Sequence, residues 1–186
     1  LNRKSVFNTV NAGYWNSALR KKAPLVMIML LLSGLISVDA QKLVAGKEAA
    51  EAFGNVLVQD QKGRTKPLFT LSNDILRKVT RENKFEGLTP MQVFLGVYLD
   101  FDNWKDFPMI KISNKDLRNS LDINGNMASF ADLVDLAGGG SYKLSEGVSK
   151  AYSKSPGART KADKEIMKVD ERVNIVYMIY KGDFIR

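Results

Sequence analysis

The plainest block in the hydrophobic pattern is residues 23–38 (APLVMIMLLLSGLISV), sixteen positions without a charge and with no polar face. As a helix, at ~1.5 Å per residue, this run covers about 24 Å, slightly less than the hydrocarbon core of a bilayer. Arg20, Lys21 and Lys22 stand immediately ahead of it. The positive-inside tendency therefore puts residues 1–22 in the cytoplasm as a basic arm and everything after Asp39 outside. Val38-Asp39-Ala40 before Gln41 also offers the small residues a signal peptidase inspects. A retained membrane anchor and a cleaved signal both fit residues 23–40, and either exports residues 41–186. A buried core helix fits less well, because the run is apolar all round and flanked by cations.

Beyond residue 41 the pattern becomes amphipathic. Residues 42–53, rich in Ala, Glu and Lys, predict a helix stopped by Gly54. Residues 55–60 alternate around Val56 and Val58 and meet a turn at Gln61-Lys62-Gly63, and Pro67 extends residues 64–69, so a small hairpin is expected. From Thr70 the period turns helical, with Leu71, Ile75, Leu76 and Val79 on one face and Thr70 or Ser72 as the cap. Arg77, Lys78 and Arg81 near its end suit the helix dipole.

Thr89-Pro90-Met91-Gln92 is a capping box with proline at the first helical position. The stripe that follows, Met91, Phe94, Leu95, Tyr98 and Leu99, reads as core rather than as a ligand box. Residues 108–112 predict a strand, and Ser113 with Asp116 caps a short helix to Leu121. Residues 128–137 predict another helix, ended by Gly138-Gly139-Gly140, and residues 144–152 a further one before the break at Ser155-Pro156-Gly157. Residues 160–181 predict the longest helix, with Ile166, Val169, Val173, Val176, Tyr177 and Tyr180 on its inner face. The fold class expected is mainly α with one or two short β-strand pairs, preceded by one membrane-spanning or signal-like helix. No repeat of 20–50 residues divides it.

Composition narrows the chemistry. The chain has 186 residues, 45% hydrophobic and 26% charged, enough for one ordinary core. It begins at Leu1, which is read as a piece of something longer or a processed product. It has no cysteine and no histidine. That excludes disulfides, thiolate or imidazole metal sites, and every Ser-His-Asp or Cys-His arrangement. The formal charge of +8 is unevenly spread, because Arg3, Lys4, Arg20, Lys21 and Lys22 precede the apolar run without a single acid. After Gln41 there are 23 basic and 19 acidic residues, well mixed. Without a basic stripe interleaved with aromatics, no nucleic-acid partner is expected.

Gly138-Gly139-Gly140 lacks the Lys-Ser or Lys-Thr of a phosphate loop. Asp122, Asn124 and Asn126 have the alternate spacing of a calcium loop, but Gly125 is misplaced and Leu133 stands where a bidentate acid is required, so a turn is expected. Asp100, Asp102 and Asp106 around Trp104 read as a solvated loop. No two carboxylates are singled out for acid-base work, so no catalytic residue is assigned.

Three stretches are similar, as a set, to one family: Phe53-Gly54-Asn55-Val56-Leu57-Val58-Gln59-Asp60 leading into Gly63-Arg64-Thr65-Lys66-Pro67; Thr70-Leu71-Ser72 with Leu76-Arg77-Lys78; and Asp170-Glu171-Arg172-Val173-Asn174. They resemble the extracytoplasmic region of the large, fused cytochrome c biogenesis proteins of the ResB/ResC type, of the kind found in Bacteroidetes-like bacteria. Residues 88–96 and 104–112 fit the same pattern. The resemblance implies an inner-membrane cytochrome c synthase that moves haem outward and joins it to apocytochrome c, with residues 41–186 on the periplasmic side. It also implies as partners the membrane, apocytochrome c and the remaining synthase segments, and haem as the cofactor of the full-length protein.

The family's haem ligands are histidines beside a tryptophan-rich loop, and neither feature occurs here, so none of those residues carries over. The matching residues read as a scaffold: Gly63 for the turn, Pro67 for the exit, and Arg64 and Lys66 to pair with acids or a haem propionate. Asp170 and Arg172, two positions apart on one helix, face different neighbours, with a buried ion pair expected before a substrate contact. Arg77 and Asn174 complete the motif set. The other reading is an exported or membrane-anchored, non-catalytic binding module for a peptide or an envelope component.

Overall fold

The computed structural model describes residues 44–60, 63–136 and 139–185. The expected basic arm, the apolar segment 23–40, Gln61, Lys62, Ala137 and Gly138 lie outside them. The described residues form α1 (Lys47–Gly54), β1 (Leu57–Gln59), β2 (Thr65–Pro67), α2 (Leu68–Thr80), α3 (Pro90–Leu99) and α4 (Phe101–Trp104). These are followed by β3 (Ile110–Lys111), α5 (Lys115–Ser120), β4 (Met127–Ala128), α6 (Phe130–Leu133), β5 (Val134–Asp135) and β6 (Ser141–Tyr142). Then come α7 (Ser145–Ser153), a 3-10 turn (Pro156–Ala158) and α8 (Lys161–Lys181). The fold is mainly helical with short antiparallel strand pairs. There are three such pairs among the described residues, β1-β2, β3-β4 and β5-β6, where one or two were expected. No helix among the described residues is long and apolar enough to cross a membrane.

The core is built around α3, which has no charged residue and is enclosed by α1, α2 and α8. Its capping box forms as the sequence predicts: the Thr89 hydroxyl accepts the Gln92 N–H at 3.3 Å, and the Gln92 side chain accepts the Thr89 N–H at 3.1 Å. Burial is not the single stripe expected. Val93, Gly96 and Val97 are buried along with Met91, Phe94 and Leu95, while Leu99, at the open end, is 61% exposed. Trp104 of α4 lies flat on Gly96, where a Cβ would come within 2.2 Å of the indole.

Helix α8 packs α7 on one side and α2 and α3 on the other. Its buried positions are Asp163 and Glu165 near its start and, further along, Val169, Arg172, Val173, Val176 and Ile179, which form a stripe at helical spacing. Tyr177 and Tyr180, expected on the inner face, fall on its rim and are exposed. Tyr180 there stacks on Phe101 with ring centroids 4.2 Å apart.

Several boundaries move for identifiable reasons. Gly54 does not stop α1 from outside but is its last residue. A Cβ there would stand 3.1 Å from Phe69 Cβ and 3.3 Å from Met91 Cγ, so glycine permits the approach of α1 to its neighbours. Helix α2 starts at Leu68, directly after Pro67, so Thr70 and Ser72 are interior; Ser72 donates to the Phe69 carbonyl instead of capping. Asn114, not Ser113, caps α5, accepting the Leu117 N–H at 2.8 Å. The helix expected over 128–137 is only the turn of α6. Ser129 and Asp132 cap it reciprocally, and β-branched Val134 then opens β5. Gly139 and Gly140, both at positive φ, belong to the β5-β6 connection rather than to a helix stop.

Candidate functional site

The three motif stretches meet two different fates. The first makes the β1-β2 hairpin, with Leu57 opposite Pro67 and Gln59 opposite Thr65. Gly63 takes φ +77° in its turn. Arg64 closes the turn on Asp60: its backbone N–H donates to one carboxylate oxygen at 2.9 Å, and Nε and Nη2 donate to the other at 3.1 and 3.0 Å. Lys66 Nζ stands 3.6 Å from the same carboxylate and 3.4 Å from Asp74 on α2. Both cations considered for a haem propionate are thus engaged by acids of the chain itself. Pro67 precedes the first residue of α2, as an exit-fixing residue should.

In the third stretch, Arg172 is 3% exposed and ties three elements together. Its Nε donates to the Lys78 carbonyl at the end of α2 at 3.2 Å, and Nη1 donates to the Lys111 carbonyl of β3. Nη1 also lies 3.8 Å from Glu165, whose carboxylate accepts the Ser113 N–H at 2.7 Å. Burial pushes the guanidinium pKa down while Glu165 opposes that shift. Arg172 and Glu165 thus form a buried ion pair. Asp170, on another face of α8, acts on the buried hydroxyl of Tyr142. Burial first and Asp170 second push the pKa of that hydroxyl up. Arg77 is exposed in the last turn of α2.

The remaining motif residues lead to a cleft between α2 and α8. Leu71, Asp74, Ile75 and Lys78 share a face of α2 at i, i+3, i+4 and i+7. Facing them across a cleft of about 820 Å³ are Asp170, Asn174, Ile175 and Met178 of α8, with Tyr152 and Phe184 at the sides. The Lys78 ammonium meets Glu171 across its mouth, and Asp74 links the cleft to Lys66 of the hairpin. Arg159, Lys164 and Lys168 bring cations to the α7 end.

That end is anchored by Asp163. It accepts the Thr160 N–H at 2.8 Å and holds Lys154 through both oxygens at 2.8 Å. Lys154 foremost, and then Thr160, bring the carboxyl down to a pKa of about 2.

An apolar floor with fixed charges on its rim is equipped for recognition. The chain supplies neither imidazole nor thiolate to hold a haem iron, and its two propionate candidates, Arg64 and Lys66, are engaged by Asp60. Among the described residues no group of three or more acids is placed to hold a metal ion. The Asp122-Asn124-Asn126 segment forms the turn before β4, with Asp122 at φ +56° and Gly125 at φ +91°. Of the residues singled out from sequence, Asp170 and Asn174 line this cleft, while Arg159, Lys164, Lys168, Tyr152 and Phe184 line it without having been singled out. The i, i+4 repeat of Lys164 and Lys168 was the available signal.

No family model matches the chain. It is similar to Protein NrfI of Wolinella succinogenes, with 33% identity over 141 residues, 75% of this chain. The matched stretch is 15% of the length of that relative, so this chain corresponds to one segment of a much longer protein.

Proposed function

We propose that the chain is part of a cytochrome c maturation protein held at the inner membrane. In this reading residues 41–186 lie on the periplasmic side and assist haem delivery to, and attachment on, apocytochrome c without making the bond. The observation that carries it is the similarity to Protein NrfI across three quarters of the chain, together with the three stretches that resemble the fused biogenesis proteins. In this reading haem ligation belongs to the remaining segments of the full-length protein, since this chain has no Cys or His. The cleft between α2 and α8, with apolar floor and charged rim, supplies a surface of the right chemistry for an extended apocytochrome segment. Deleting residues 44–185 from the full-length protein tests the reading. Holocytochrome, followed by haem-stained gels, is expected to disappear while membrane insertion of the rest is unchanged; normal maturation after the deletion overturns it.

A further inference from the structure

One face of α8 lines the cleft along most of the helix. Lys164, Met167, Lys168, Glu171, Asn174 and Met178 follow one another at steps of three and four residues, and all of them border it. From Lys164 to Met178 this face runs about 21 Å at ~1.5 Å per residue. About six residues of extended chain cover the same length, so the trough suits a strand of peptide better than a compact ligand. Its charges are not balanced. Glu171 is paired with Lys78, and Asp74 with Lys66 at 3.4 Å, while Asp170 acts on Tyr142. Arg159, Lys164 and Lys168 have no ion-pair partner among the described residues. Asp163, the acid next to Lys164 in the chain, is already held by Lys154 through both oxygens.

Arg159 is half-buried, and its Nε donates to the Ala151 carbonyl at 3.2 Å. That bond fixes the guanidinium and leaves both Nη groups for a carboxylate. Further along α8, the exposed Asn174 makes no side-chain hydrogen bond among the described residues, so its amide offers a main chain both donor and acceptor. Ile175 and Met178 follow, half-buried, and with Leu71 and Ile75 of α2 they supply apolar surface. We propose that the cleft binds an extended peptide whose acidic side chains lie over Arg159, Lys164 and Lys168 and whose apolar side chains lie on Ile175 and Met178. The seven helical residues from Lys168 to Ile175 span about 10 Å, which sets the acids and the apolar residues about three extended positions apart. This rests on the reading of the cleft as the groove for an apocytochrome segment, and it names the kind of segment selected. Opposite charges at one end fix the register of the bound chain, and the Met178 thioether adapts to apolar side chains of different shape.

Selection from a random dodecapeptide library tests the proposal, with the 186-residue chain in detergent micelles as bait. Two variants are compared with it. Lys164→Glu combined with Lys168→Glu reverses the cleft cations, and Arg77→Glu combined with Lys84→Glu makes the same change in net charge outside the lining. Peptides recovered on the parent are expected to carry clustered Asp or Glu several-fold above the library, with apolar residues about three positions away. The tightest of them, followed by fluorescence anisotropy, is expected to bind the cleft variant about tenfold more weakly and the control variant as well as the parent. Recovered peptides without an acidic excess overturn the preference and leave the cleft as a peptide groove. Undiminished binding to the cleft variant, or equal weakening by both variants, places the acids elsewhere on the chain and also overturns it. If no peptide is enriched, the groove reading falls and the preference with it. The deletion of residues 44–185 is read out separately, so the maturation role stands or falls on its own result.

Discussion

Gly96 and Trp104 show how far a single position can be constrained. The indole is almost completely buried, and its ring occupies the space a Cβ at position 96 would need, at 2.2 to 2.5 Å from three ring atoms. No left-handed backbone is involved, so the requirement is purely one of volume. Gly96→Ala forces the ring or the helix to shift, and overpacking of this kind costs about 2 kcal/mol. The expected result is a melting temperature lower by about 4–8 °C, followed by circular dichroism. Gly157→Ala, where nothing lies within 4 Å, is the control and is expected to leave it unchanged. Arg172 is the polar counterpart, a charge admitted to the interior because two carbonyls and Glu165 receive it. Neither partner set is visible in the chain order: Trp104 is eight residues from Gly96, but Lys78 and Lys111 reach Arg172 only through the fold.

Among the elements, those whose signals are local were legible before the structure. The Thr89 capping box, the Thr160 helix start and the β1-β2 hairpin depend on neighbours within a few residues. The glycine run at 138–140 misled, because positive φ serves a hairpin connection as readily as a helix end, and only the pairing of Val134 with Tyr142 decides between them. The start of α8 also carries a pH signature. Asp163 accepts from Thr160 and holds Lys154, and its pKa falls from 3.8 to about 2. A carboxyl depressed in the folded state stabilises fully above its unfolded pKa, and that contribution is lost as pH falls from about 3.8 through about 2. Denaturant midpoints measured between pH 5 and pH 2 are therefore expected to fall less steeply for Asp163→Asn than for the parent. Parallel profiles would show that Lys154 and Thr160 do not hold the carboxylate in solution.

At the scale of the whole molecule, the cleft is the feature least accessible to sequence reasoning, because its walls come from segments about a hundred residues apart. Asp170 and Asn174 were picked out by motif, yet the cations that set the potential at its α7 end, Arg159, Lys164 and Lys168, lie outside every motif. Lys164 and Lys168 are exposed on successive turns of α8, so reversing their charge touches recognition more than folding. Surface substitutions of this type change stability by about 0.5 kcal/mol or less. On the proposal that an apocytochrome segment engages the cleft, Lys164→Glu combined with Lys168→Glu in the full-length protein is expected to lower holocytochrome yield severalfold without changing the amount of protein in the membrane. The parent is also expected to lose yield as ionic strength rises, whereas the variant, already lacking those charges, is less sensitive. Arg77→Glu combined with Lys84→Glu, both exposed on the same domain but outside the cleft lining, makes the same change in net charge and is expected to mature cytochrome normally. Equal losses in both variants would assign the effect to overall charge and remove the cleft from the mechanism.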